Sequence, residues 1–308
     1  MLRASLLYLS NGPAIFGFIK SNGLARTLSS SFVAGETLDS AVAAVRQLNT
    51  AGITATLDCL GESVHSVEEA EAATATATGI LDRIAAEKLQ ANVSVKLTQF
   101  GLDVDAARCA ANVRRVLDRG KERGTFVRLD MESSQHTQPT LDLFLNQLHP
   151  AYGDGVGVVI QSMLRRSAGD IDTLVAARAR VRLCKGAYKE PPAVAFPDKG
   201  DVDRSYAELM ELLLEKGNYP AIATHDERLI ARAKRQIWSR GIEHDTFEFQ
   251  MLYGVRRDLQ QELVKEGYRV RVYVPYGTQW YPYLMRRLAE RPANLAFMVG
   301  NLWKESTR

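Results

Sequence analysis

The chain has 308 residues, a net charge of +3, 46% hydrophobic residues and 24% charged residues. That is long for one ordinary domain but typical of a single α/β barrel. The near balance of charge, with no basic cluster interleaved with aromatics, gives no warrant for a nucleic-acid surface, and no apolar run reaches the roughly 20 residues of a membrane helix.

Along the chain, the first stretch, "MLRASLLYLSNGPAIFGFIKSNGLA", carries an early arginine and an apolar run like a targeting peptide. However, Asn11-Gly12-Pro13 breaks the run and no clean cleavage site follows, so short helices are expected instead. Residues 1–50 are read as an N-terminal helical arm and 51–308 as a barrel, together one catalytic domain. Cys59, Cys109 and Cys184 are far apart with no CxxC. They predict reduced thiols in the cytoplasm, with no disulfide framework and no zinc site.

Eight short β-branched or apolar runs follow: 53–60, 91–97, 125–131, 156–162, 181–187, 220–226, 246–252 and 268–274. Their length and composition fit buried parallel strands. Amphipathic helical stretches lie between most of them, and no linker interrupts the series. Eight such alternations make a (β/α)8 barrel. A doubly wound sheet is the alternative, but it would more often show a glycine-rich first turn. The cluster "GDGVGVV" precedes a strand, whereas a dinucleotide fingerprint follows one, so it is read as a loop.

A barrel keeps its chemistry at the C-terminal strand ends and fills its interior with apolar side chains. Each run carries a polar residue late: Asp58, Lys96, Arg128 and Asp130, Gln161, Arg182 and Lys185, Thr224 with His225 and Asp226, Gln250, and Tyr273. Any one could be a satisfied structural group, but a complete set is harder to dismiss. Arg182 and Lys185 face opposite ways on one strand unless the strand ends between them, and Gly186 supplies that end. No serine or cysteine is set beside a histidine and no metal-ligand spacing occurs, so a cofactor is expected to carry the chemistry.

After the eighth run, Pro282 suits the first turn of a helix. On it Tyr283, Arg286, Arg287 and Glu290 fall within an arc of roughly 100°. Glu290 can pair with both arginines, which could together grip one carboxylate through bidentate bonds.

These residues carry a resemblance. "RVYVPYGTQWYPYLMRRLAE" is similar to the C-terminal signature of the proline dehydrogenase family, flavoenzymes that oxidise L-proline to Δ1-pyrroline-5-carboxylate. "SVKLTQFG", "FVRLDME", "VVIQSML", "VRLCKGAYKE", "IATHD" and "FEFQMLYG" resemble strand-end motifs of the same family in the same order. The likeness runs from about residue 50 to the C-terminus. It implies a distorted (β/α)8 TIM-type barrel that binds FAD, with the C-terminal helix closing over the barrel mouth.

Position by position, the resemblance makes Met131, Gln161, Arg182, Lys185, Gly186, Ala187, Thr224 and His225 cofactor-binding, with Arg182 near the flavin N5. It gives catalytic roles to Asp130 and Arg182. It places Lys96, Tyr273, Tyr283, Leu252, Arg286 and Arg287 around L-proline, with Glu290 bracing the arginines. It further implies a quinone electron acceptor, peripheral membrane contact at the inner face, and a monofunctional enzyme. Two other readings stay open on the residues alone: a Schiff-base aldolase using Lys96 or Lys185, and a ligand-binding barrel without catalysis.

Overall fold

The computed structural model describes residues 31–290, with side chains as far as Met285. All eight runs form strands: β1 (Thr54–Cys59), β2 (Ala91–Val95), β3 (Val127–Leu129), β4 (Val156–Gln161), β5 (Arg180–Cys184), β6 (Ala221–Ala223), β7 (Glu248–Leu252) and β8 (Val270–Tyr276). Each pairs in parallel with the next, and β8 closes on β1, with Thr54 opposite Arg271 and Cys59 opposite Tyr276. The (β/α)8 barrel is therefore the architecture.

Helices α1 (Leu38–Thr50), α2 (Val67–Ala86), α3 (Ala106–Glu122), α4 (Ser134–Leu143), α5 (His149–Tyr152), α6 (Ser167–Ala176), α7 (Lys199–Lys216), α8 (Glu227–Arg240), α9 (Arg257–Lys265) and α10 (Trp280–Glu290) surround it. Several start on side-chain caps that satisfy otherwise unbonded N–H groups. Thr37 accepts from Ser40 N at α1, Ser66 from Glu69 N at α2, and Asp105 from Ala107 N and Arg108 N at α3. Gly241, in the left-handed region, stops α8.

Alternation along the strands sorts their side chains. Leu57, Val93, Val127, Val158, Leu183, Ile222, Phe249 and Val272 share one apolar core with Ile80, Val113, Leu174 and Leu213 of the helices. The core thus lies outside the sheet, between strands and helices. The other set differs from expectation. Thr56, Asp58, Ser94, Arg128, Asp130, Arg182, Glu248 and Gln250 are all buried and fill the barrel with polar groups rather than apolar ones. Long side chains fit because small residues stand beside them: Gly157 is in register with Arg128, and Ala221 with Arg182 and Glu248.

Of the expected N-terminal arm, residues 31–50 are described, and Leu38–Thr50 is helical. Residues 31–37 are not helical. The Ala34 N–H donates to the Pro275 carbonyl at 2.9 Å and the Gly277 N–H to the Gly35 carbonyl at 3.0 Å, which fastens this segment to the end of β8. Helix α1 then packs over the β1–β8 seam, so it is part of the barrel wall. Residues 1–30 lie outside the described residues. At the other end α10 begins two residues before Pro282, and Trp280, Tyr281, Tyr283, Leu284 and Met285 pack with Val33 and Leu60. Leu60 directly follows β1, so α10 sits at the C-terminal mouth, as expected. Among the described residues no helix is long and apolar enough to cross a membrane.

The packing around Gly157 is a direct test of the polar interior. A Cβ there would lie 2.6 Å from the Arg180 carbonyl oxygen, 2.8 Å from Phe126 Cζ and 3.0 Å from Arg128 Nη1. The first of these is main chain and cannot rotate away. Gly157→Ala is expected to destabilise the fold by about 1–3 kcal/mol; an unfolding free energy within 0.5 kcal/mol of the parent would contradict it.

Candidate active site

The residues at the C-terminal ends of the strands form two bonded groups. In the first, β5 contributes Arg182. Its Nε donates to Gln250 Oε1 at 2.5 Å, and its Nη1 to Asp130 Oδ1 at 2.7 Å and Ser94 Oγ at 3.3 Å. The Tyr273 hydroxyl of β8 donates to the other oxygen of Asp130 at 2.6 Å, and the guanidinium lies 5.3 Å from the Tyr273 ring centre. Burial, and then the Asp130 carboxylate, push the Tyr273 phenol far above its usual range. It therefore stays a donor, and Asp130 is held from both sides.

In the second group Lys96, which directly follows β2, sends Nζ to both oxygens of Asp58 at 2.9 and 3.0 Å. Lys96 is only 8% exposed. Burial works against its charge, but the Asp58 and Asp130 carboxylates outweigh it and hold the ammonium above the ordinary lysine range. The sign is that of a cation with a raised folded-state value: its stabilisation is present below the unfolded pKa and is lost only as pH rises beyond it. A Schiff-base lysine needs the reverse, an amine made neutral by desolvation. Lys96 is thus unsuited to the aldolase reading. Lys185 is also engaged: its Nζ lies 2.6 Å from Asp203 Oδ1 in an ion pair and donates to Asp226 Oδ2 at 3.2 Å.

The cofactor candidates form a crescent on the β3–β6 side. Met131 is buried just beyond β3, and Gln161 at the end of β4 donates to the Glu132 carbonyl at 2.8 Å. Strand β5 ends at Cys184, so Lys185 leaves the sheet as the alternation required, and Gly186 turns at φ +103°. A side chain on Gly186 would run into Met163. Ala187 follows on the same partly exposed stretch. Thr224 Oγ1 accepts the Asp226 N–H at 3.1 Å. His225 Nε2 accepts the Leu252 N–H at 2.9 Å, which joins the ends of β6 and β7.

The structure therefore brings Asp130, Arg182 and Tyr273 into one network, with Lys96 beside it on Asp58. It sets Lys185 apart, against α7 and α8. Tyr283 is buried in the α10 packing. The side chains of Arg286, Arg287 and Glu290 lie outside the described residues. Sequence reading left several contributors without a role. Ser94 is two residues before Lys96 and shares its face, so alternation could have found it. Glu132, which accepts from the Thr98 N–H and hydroxyl at 3.1 and 2.5 Å, lies inside a quoted motif. Asp203 had no signal at all, because only the fold brings α7 to Lys185.

With this geometry in place, comparison with known proteins is decisive. The family model described as proline dehydrogenase matches residues 41–299. The chain belongs to the proline dehydrogenase family. Proline dehydrogenase 1 of Bacillus subtilis (strain 168) is 43% identical over 99% of this chain and all of its own length. Proline dehydrogenase of Deinococcus radiodurans is 44% identical, covering 90% of each chain. Among solved structures, proline utilization A from Bdellovibrio bacteriovorus, inactivated by N-propargylglycine, superposes with a TM-score of 0.82 at 29% identity. That match covers 92% of this chain and 34% of the larger protein's.

The buried pair gives a stability test. Asp58→Asn removes the bonded counter-charge and leaves the buried Lys96 ammonium without its ion-pair partner, which is expected to cost about 3–5 kcal/mol. Asp58→Asn combined with Lys96→Met should recover much of that loss in denaturant unfolding. A cost below about 1 kcal/mol for the single variant would show that the pair is not the anchor described.

Proposed function

We propose that the protein oxidises L-proline to Δ1-pyrroline-5-carboxylate with bound FAD and passes the electrons to a quinone, as the first step of proline breakdown. The observation that carries this reading is Arg182 Nη2, a buried guanidinium nitrogen with no hydrogen-bond partner in a network whose other donors are used. A buried donor left without an acceptor is expensive. An isoalloxazine, with ring nitrogens and carbonyls as acceptors, would satisfy that donor. Gln161, Lys185, Gly186, Ala187, Thr224, His225 and Met131 are the residues proposed to hold the cofactor beside it. When bound there, FAD supplies the hydride acceptor.

The chain's own residues then have binding and orienting roles. Arg286 and Arg287 on α10 take the substrate carboxylate, braced by Glu290, and this orients the ring for reaction. Lys96 stays charged and is held by Asp58 at the edge of the pocket. Tyr273, Leu252 and Tyr283 wall the ring. Asp130 keeps Arg182 and Tyr273 in place. Apolar α10 side chains over the mouth exclude water, which strengthens these contacts. The substrate amine must be unprotonated when hydride leaves, so activity is expected to rise with pH toward the amine's own pKa. The proposed quinone acceptor brings with it a proposed peripheral contact at the membrane; among the described residues no helix is long and apolar enough to cross one.

Two experiments test this reading. The purified protein should carry visible flavin that bleaches when L-proline is added without oxygen; a colourless protein that FAD does not reconstitute would refute it. Arg286→Ala or Arg287→Ala should each lower kcat/KM by about one to two powers of ten, since charge-assisted bonds contribute roughly 1.5–3 kcal/mol. Most of the loss should appear in KM, because the carboxylate is held in ground and transition states alike. Near-native KM in both variants would return α10 to a solvated helix face.

A further inference from the structure

At the opposite end of the barrel, below the N-terminal ends of the strands, lies a cavity of about 480 Å³. Five cationic side chains line it, Lys88, Arg123, Arg128, Arg180 and Arg271, against the single carboxylate of Glu248. They form a gradient of burial: Lys88 and Arg123 are exposed, Arg180 and Arg271 half-buried, and Arg128 only 2% exposed.

Most of these charges already have partners. Arg271 Nε donates to Glu248 at 2.8 Å and its Nη1 to the Ala55 carbonyl at 2.8 Å, and Gln250 also donates to Glu248. Arg123 pairs with Asp82 at 2.8 Å. Arg180 stacks on Phe126 and Tyr219, and its carboxylate contact, Asp154, is 3.8 Å away. Arg128 differs from all of them. Its Nη1 donates to the main-chain carbonyls of Val158 and Arg180 at 3.2 and 3.1 Å, and it lies 4.7 Å from the centre of the Phe126 ring. Among the described residues no carboxylate pairs with it. The Nε atoms of Arg128 and Arg180 are both buried without a hydrogen-bond partner.

A guanidinium stays protonated in proteins, so this charge cannot be removed by titration. Water could satisfy the two donors but not the excess charge, whereas an oxyanion satisfies both. We propose that the base of the barrel is a second binding site, for a small oxyanion of the phosphate or carboxylate class, held by Arg128 and Arg180. Lys88 and Arg123 at the rim steer the anion in. The Gly157 backbone beside Arg128, with no side chain, leaves the guanidinium room to stand there. The site is separate from the proposed proline pocket, since Arg128 lines the cavity at the strand starts, whereas Asp130 follows the end of β3.

The test uses the flavin-loaded enzyme at fixed ionic strength, with sodium chloride exchanged for inorganic phosphate or for glutamate. Calorimetric titration and thermal unfolding are followed together in the parent, Arg180→Gln and Arg128→Met. The expected result is saturable binding near one equivalent that chloride does not reproduce, with a rise in Tm. Affinity should fall at least tenfold in Arg180→Gln, a half-buried position whose loss leaves the core intact, and in Arg128→Met if that variant folds. Tighter binding of phosphate or of glutamate identifies which oxyanion the site prefers. No saturable binding of either, or binding undiminished in Arg180→Gln, would overturn the proposal. Neither outcome depends on proline turnover.

Discussion

Everything at the mouth of this barrel depends on charge kept out of water. Asp130 accepts from Arg182 and Tyr273 at once, and Asp58 holds Lys96 with both oxygens. These groups come from β1, β2, β3, β5 and β8, so each bond is also a tie across the lumen. In water such pairs contribute little. Inside a low-dielectric barrel each partner would be costly alone, so the arrangement is strongly specified even if its net contribution to stability is small. That rigidity suits catalysis, because small errors in placement cost rate steeply.

The division of labour between the two faces of the sheet follows from this. The helix-facing side chains form the apolar core and supply the hydrophobic stabilisation. The lumen is then free to carry polar side chains, provided small residues make room and every charge finds a partner. Gly157 and Ala221 provide the room. Among the described residues, Arg182 Nη2 near the mouth and the Nε atoms of Arg128 and Arg180 near the base are buried without a hydrogen-bond partner. Those are the places where a bound group has something to contribute.

The fold was legible because parallel barrel strands are short, buried and rich in β-branched residues, so all eight stood out against amphipathic helices. The polar residues late in each strand were legible as a set for the same reason. Their pairing was not. Whether Arg182 meets Asp130 or Gln250 depends on shear and closure of the barrel, which no local pattern encodes. Lys96 shows the gap: a strand-end lysine reads equally as nucleophile or cation, and only Asp58, 38 positions away, decides for the cation. Asp203 was invisible because it lies on a helix surface until α7 docks. The hydrogen bonds that tie residues 34 and 35 to the end of β8 are likewise a tertiary fact that no local pattern announces.

The closure of β8 on β1 also sets a rule for synthesis. The Thr54 hydroxyl donates to the Val270 carbonyl, 216 positions further along the chain. Asp58 and Asp130 emerge from the ribosome long before Tyr273. Until the last strand arrives, a nascent seven-stranded sheet has two open edges and a groove of carboxylates and guanidiniums still facing solvent. Contacts so distant in sequence form late and slowly. An incomplete chain therefore gains little from docking its polar lumen early, and its exposed edges are open to pairing with other chains. The eighth strand and the helix after it act as a latch: the buried charges become fixed only once β8 has been made and has closed on β1.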